Sequence, residues 1–395
     1  MNPQRVRIDE IDILRGLALL GVLTMNLAEA FRVPYWGIHP EAHAGAVDRA
    51  MAFVGTVFVS GKSFTLFSML FGVGLSIFFE RASARHPNAM RLLARRLVVL
   101  LMFGSAHMFL LWHGDILMSY ALIGLFALPF LRARTRVVLG VAVACFVAGP
   151  FLRSWPPLRE ALNSRIPGHY EDALRVYGTG TYGEILRFRI DEFFRVIVRV
   201  YGHVWPRELG NMLVGMLIWR SGAFSRVVAY GYRRVLSRIA GGGIALGAGY
   251  SIYGALHAPI SGVGLRSLVH GLTMLVFALG YGAALLLLLA SARWREWLSL
   301  AAPIGRMAFT NYLTQTLVFT TLFYGYGFGW LGQVGYAMSV AIGLVFYGLQ
   351  GILSTVWLRH FAFGPFEWAW RSLTYGEWQP LRRAPSACTP GAATT

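Results

Sequence analysis

Apolar runs of about twenty residues recur along almost the whole chain. That is the length a helix rising 1.5 Å per residue needs to cross about 30 Å of hydrocarbon. Read between charge clusters, the runs fall near residues 12–31, 63–80, 96–113, 115–131, 136–153, 204–220, 235–256, 266–290, 305–324 and 334–358. Of the 395 residues, 56% are hydrophobic and only 14% charged, against about a quarter charged in soluble domains. No water-soluble core absorbs that much apolar surface. The fold class expected is an all-α polytopic membrane protein of about ten transmembrane helices, because alternating runs and links leave no room for a separate soluble domain.

The basic residues orient such a bundle. Arg81, Arg85, Arg91, Arg95 and Arg96 fall in one link, Arg132, Arg134 and Arg136 in another, Arg220, Arg226, Arg233, Arg234 and Arg238 in a third, and Arg293, Arg295 and Arg306 in a fourth. The alternate links around His113, His257 and Gly329 are nearly free of arginine. Positive-inside asymmetry then puts both termini on the cytoplasmic side. The net charge of +18 is accordingly read as contact with anionic lipid heads, with no nucleic-acid partner. The basic start, Met1 to Arg7, runs directly into the first apolar stretch without a small-residue cleavage site, which reads as a retained span. Cys145 in an apolar run and Cys388 in the tail offer no disulfide framework.

Four regions follow. Residues 1–153 form an N-terminal transmembrane half, 154–203 an outer loop, 204–381 a C-terminal transmembrane half and 382–395 a flexible tail. Within residues 32–62 the apolar stretch 50–59 is too short to span and reads as re-entrant or interfacial. In the 154–203 loop, Arg187, Arg189, Arg195 and Arg199 alternate with Leu186, Phe188, Ile190, Phe193, Phe194, Val196 and Ile197, the pattern of a helix lying on the outer surface.

Several polar residues are not explained by apolar packing. Lys62 is the single lysine among 36 basic residues. It reads either as a group kept for its compact, titratable ammonium or as an interfacial anchor. His107 lies inside the third run and Asp115 opens the fourth. Ionisable groups at that depth mark function by default, and a carboxylate beside a histidine is the arrangement of a general base; a structural pair tying two helices is the alternative. Arg15 and Asn26 share one face of the first span, with Asn26 the deeper. Arg306, Asn311 and Gln315 make a polar stripe on the ninth, read as a cleft lining ahead of helix glue. His39 and His43 have metal-compatible i, i+4 spacing, but Pro40 stands between them and no third ligand is evident, so no metal is expected. No GxSxG elbow, P-loop or dinucleotide fingerprint stands in a usable context.

The segments Arg7–Asn26, Gly61–Gly74, Trp112–Leu117, Gly305–Gln315 and Gly364–Thr374 resemble the YeiB-like family of bacterial inner-membrane proteins. The N-terminal half, through Asp12–Asn26, is similar in turn to transmembrane acyltransferases of the heparan-α-glucosaminide N-acetyltransferase type. The resemblance implies a multi-pass protein of the inner membrane. It implies further that an acyl group, acetyl above all, passes from cytoplasmic acyl-CoA to a sugar-like or other small acceptor at the outer face. A loop histidine acts in those enzymes, and His39 is the nearest counterpart. On this reading His107 with Asp115, or else His39, is the base. Asn26, Lys62, Asn311 or Gln315 donates to the oxyanion, Arg95, Arg96 and Arg306 meet the CoA phosphates, and Arg15 belongs to the same substrate-binding set. The expected partners are membrane lipids, the small acceptor and, left open, a second copy of the chain as a homodimer. A transporter or permease of a small solute is the rival, since the same polar groups could line a pathway.

Overall fold

A computed structural model describes residues 9–33, 45–157, 160, 168–226, 230–257 and 263–383. Among the described residues the chain is helical throughout, and the sole extended pairing is an isolated bridge between Phe361 and Arg382. Seven helical stretches among the described residues are long and apolar enough to cross a membrane: Asp9–Phe31, Ala46–Ser83, Ala89–Leu111, Thr135–Leu152, Gly231–Leu256, Gly264–Leu289 and Tyr336–His360.

The first half contains α1 (Asp9–Asn26), α2 (Ala46–Phe58), α3 (Lys62–Ser83), α4 (Ala89–Ala106), α5 (Leu117–Ala127) and α6 (Thr135–Ser154). Then come α7 (His169–Thr179), α8 (Tyr182–Glu192), α9 (Val198–Arg220), α10 (Tyr230–Leu256) and α11 (Val263–Leu289). The chain finishes with α12 (Ala292–Ser299), α13 (Ala302–Arg306), α14 (Ala308–Phe323), α15 (Tyr336–His360) and α16 (Pro365–Tyr375). The apolar stretch 50–59 is the body of α2, which turns into α3 at Gly61, where φ is +76°. Gly61 is required there because side-chain-bearing residues rarely adopt that backbone.

One expected boundary moves. The run beginning at 204 belongs to α9, which starts at Val198 and is entered from α8 without a break, so the division drawn at 203 falls inside a helix. The amphipathic run divides its charges, with Arg187, Asp191 and Arg195 exposed. Arg189 and Glu192 face inward with Ile185 and Phe193, while Ile190 and Phe194 are exposed.

Helices approach closely where glycine permits. A Cβ on Gly72 of α3 would strike the Met212 backbone of α9, and one on Gly215 of α9 would strike the Met69 backbone of α3. Small residues at such crossings let backbones touch, the common device of packed membrane helices. The largest apolar core joins both halves, running from Leu19, Phe31 and Trp112 through Tyr120 and Met212 to Phe309, Phe319 and Tyr324. The end of the bundle where α1 begins is called proximal below, and the opposite end distal.

Candidate functional site

The distal end of α4 does not close as an ordinary helix. Residues His107–Leu111 form a single π turn, which ends where the Trp112 N–H donates to the His107 carbonyl at 2.9 Å. Trp112 then adopts an extended backbone, and its ring stacks on Phe31 with centroids 4.2 Å apart. Gly114 leaves room for that indole, which a Cβ would overlap. The chain thereby doubles back, and Asp115 returns to the histidine it left eight residues earlier.

Asp115 Oδ1 lies 2.7 Å from His107 Nδ1, and its Oδ2 accepts the Met118 N–H at 2.6 Å, capping α5. The Asp115 carbonyl accepts the Tyr201 hydroxyl of α9 at 2.9 Å. On the other edge of the imidazole, Nε2 is 3.0 Å from Thr316 Oγ1 on α14. One turn earlier on α14, the Tyr312 ring lies 5.2 Å from the His107 ring, and its hydroxyl accepts the Ile116 N–H at 3.3 Å. All these residues are buried except Met118 and Tyr201, which are half-buried. A carboxylate on Nδ1 fixes the tautomer with the proton on that side, so Nε2 is the basic nitrogen and Thr316 is the hydroxyl it faces.

Lys62 is buried elsewhere. Its Nζ donates to the Thr56 carbonyl at 2.6 Å, sits 5.7 Å from the Phe277 ring centroid, and feels the charge of Glu29. None of these is a partner of His107 or Asp115. Asn26 is buried at the last turn of α1, just before a second π turn, Leu27–Phe31. The polar stripe of the ninth span is a helix clamp and not a cleft lining. Asn311 Nδ2 donates to Ser354 Oγ at 3.0 Å and to the Ile304 carbonyl at 3.2 Å, while Gln315 Nε2 donates to Gln350 Oε1 at 2.8 Å. Both amides are thus committed to α15 and α13, because an unpaired amide inside a bundle costs more than a helix contact returns.

At the proximal end Arg96 is sandwiched, 3.5 Å from the Trp370 ring centroid and 5.0 Å from that of Phe78. Its carbonyl accepts the Trp370 indole N–H at 2.8 Å. Arg15 and Arg371 are close enough for their charges to act on Arg96, and Arg95 lies beside Gly376 on the rim. Arg15 also faces Asp12, at 3.8 Å. Arg306 is half-buried at the end of α13. Glu367 of α16 joins this end to α14, accepting the Phe309 N–H at 2.8 Å, the Thr310 N–H at 3.1 Å and the Thr310 hydroxyl at 2.6 Å. Burial pushes this carboxyl up from its ordinary range, against the pull of those donors.

Sequence reasoning passed over several polar groups. Glu208 and Asn211 of α9 are buried three residues apart, and Glu208 accepts the Ser119 hydroxyl at 2.8 Å. As polar residues inside an apolar run they carried the same signal as His107. Above the dyad at the distal end, Arg189 and Glu192 are buried under α7 and α8. His39 and His43 lie outside the described residues. Among the described residues no cluster of three His, Cys, Asp or Glu side chains could hold a metal.

Residues 218–377 match a family described as a protein of unknown function, DUF418. The uncharacterized protein YxaH of Bacillus subtilis is 33% identical over 95% of this chain and 96% of its own length. An uncharacterized 39.9 kDa protein in the amylase 3′ region of Bacillus acidopullulyticus is 31% identical over 95% of this chain and 96% of its own. The uncharacterized protein YeiB of Escherichia coli is 28% identical over 92% and 95% respectively. No solved structure matches the chain.

Proposed function

We propose, for a chain that belongs to the YeiB-like family, a membrane-embedded acyltransferase that draws on acyl-CoA. The observation that carries the reading is the buried Asp115–His107–Thr316 line, with heavy-atom separations of 2.7 and 3.0 Å. An oriented base aligned with a hydroxyl is what transfer of an acyl group to oxygen or nitrogen requires. His107 takes the proton of the attacking acceptor, and Asp115 holds the ring and stabilises the imidazolium. Thr316 marks where that acceptor group lies against Nε2.

On the same reading the helices cross an inner bacterial membrane about ten times, α2, α7, α8, α12, α13 and α16 standing outside the count, with both termini cytoplasmic. The proximal end is then the cytoplasmic one, and Arg15, Arg95, Arg96 and Arg371 present a cationic rim to the CoA phosphates. The acceptor arrives from the distal side.

Transport has one observation of its own: the intramembrane Glu208 with Asn211, whose amide oxygen and nitrogen are both buried and unpartnered among the described residues. Such groups mark substrate or proton pathways in carriers. The deciding experiment is binding of acetyl-CoA and CoA to the purified protein by thermal shift, alongside Arg95→Gln, whose guanidinium is exposed. Stabilisation that the variant weakens favours acyl transfer. No shift at millimolar ligand sinks it and moves the reading to transport.

A further inference from the structure

Arg189 is fully buried, at 0% exposure, under the distal cap formed by α7 and α8. One of its nitrogens has an evident task. Nη1 donates to the Phe109 carbonyl at 3.0 Å, satisfying one of the orphan carbonyls at the end of α4 and placing positive charge at the negative end of that helix. Nε and Nη2, by contrast, have no hydrogen-bond partner among the described residues. These two nitrogens form the side-on edge of the guanidinium, the edge whose parallel N–H groups match two oxygens of a carboxylate or phosphate.

The buried carboxylate nearest in sequence does not fill that edge, and Asp191, exposed, pairs with Arg195. Glu192, three residues on, accepts the Tyr177 hydroxyl at 2.6 Å through Oε2 and lies 3.0 Å from His169 Nε2 through Oε1. The walls are aromatic and hydroxylic: the Arg189 charge reaches His113, Tyr177, Tyr324 and Tyr326. Capping a helix needs a single donor. Burying a whole guanidinium with its fork unmatched is costly, since a charge taken out of water needs partners to replace its hydration.

We propose that Arg189 anchors an oxyanion-binding site beneath the distal cap. The site takes a small molecule or lipid head group carrying a carboxylate or phosphate, held bidentately by Nε and Nη2. It stands independently of acyl transfer. If both hold, the acceptor is anionic.

The test uses the purified full chain in zwitterionic detergent, with melting followed at matched ionic strength. The probes are inorganic phosphate, succinate and added phosphatidylglycerol, with sodium chloride and phosphatidylcholine as controls. Arg189→Lys keeps a cation and a donor for the Phe109 carbonyl but removes the fork. Arg189→Gln keeps the donor without the charge, and serves if the lysine variant does not fold. A saturable shift in the natural protein that weakens about tenfold or more in either variant supports the site. Response to phosphate or succinate identifies a soluble anion, and response to phosphatidylglycerol alone a lipid. No shift with any probe, or equal shifts in protein and variant, overturns the proposal.

Discussion

Removing the Asp115 carboxylate separates the bonds of the dyad by size. In Asp115→Ala, His107 Nδ1–H and the Met118 N–H both lose their acceptor inside the bundle, where no water replaces it. Each orphaned donor costs about 1–3 kcal/mol, and breaking a buried pair about 3–5 in all. Asp115→Asn is milder, at about 1–3 kcal/mol. Its one carbonyl oxygen can serve the Met118 N–H, but the amide NH₂ then faces Nδ1, and the histidine must move its proton to Nε2. That tautomer donates to Thr316 and can no longer accept from it, so the variant is folded but has lost its base. Thr316→Val removes one neutral interhelical hydrogen bond, which in membrane bundles averages about 0.6 kcal/mol. The expected order of destabilisation is Asp115→Ala, then Asp115→Asn, then Thr316→Val. Reversible unfolding in mixed micelles, followed by tryptophan fluorescence and circular dichroism, reads it. A cost below about 1 kcal/mol for Asp115→Ala, or a Thr316→Val cost equal to it, refutes the geometry.

His107→Gln should leave CoA binding intact while lowering thioester turnover by about 10²- to 10⁴-fold, measured as free thiol released; unchanged turnover removes His107 from the chemistry. Glu367→Ala strips the acceptor from the Phe309 and Thr310 N–H groups and should cost about 1–3 kcal/mol of stability, with Glu367→Gln recovering part of it in the same unfolding assay. The Glu192 hydrogen bond holds His169 above the usual imidazole range, aided by Asp172 and Asp191. A raised folded-state value means that its stabilisation is complete below the ordinary histidine value and is lost as pH rises through the folded one, so melting should be higher at pH 5.5 than at pH 8.5 by about the effect of one such pair. His169→Gln should flatten that difference, and an unchanged profile would show that the pair is inert. Gly72→Leu forces a side chain into the Met212 backbone and should abolish folded yield, whereas Gly140→Ala, in open surroundings, should not.

The helices were legible because a lipid-facing segment must be apolar and of fixed length, and both properties are written in consecutive residues. His107 and Asp115 were legible because ionisable groups stand out in an apolar run. Thr316 was not: a threonine in such a helix ordinarily bonds its own backbone, and nothing local shows that it meets a ring 209 residues away. The Asn311 and Gln315 stripe was read as lining because its partners, Ser354 and Gln350, lie 43 and 35 residues downstream. The π turns were illegible for another reason. Carbonyls of two of them take donors from distant parts of the chain, Trp112 on Ala30 and α8 on Phe109 and Leu110, which their own five residues do not reveal.

That dependence links the dyad to the distal cap. Trp112 Nε1 donates to the Ala30 carbonyl in the π turn after α1, at 3.4 Å. The Tyr182 hydroxyl and Arg189 Nη1, both on α8, donate to Leu110 and Phe109 in the π turn after α4, at 2.9 and 3.0 Å. A third π turn, Phe193–Ile197, packs Phe193 against Phe109 with centroids 4.9 Å apart. The Phe109 and Leu110 carbonyls, orphaned where the helix ends, are therefore held by the cap. A cap fixed through backbone carbonyls of the turn that carries His107 cannot shift without moving the histidine. Whatever binds at Arg189 thus acts on the same turn that sets the distance from His107 to Asp115 and Thr316.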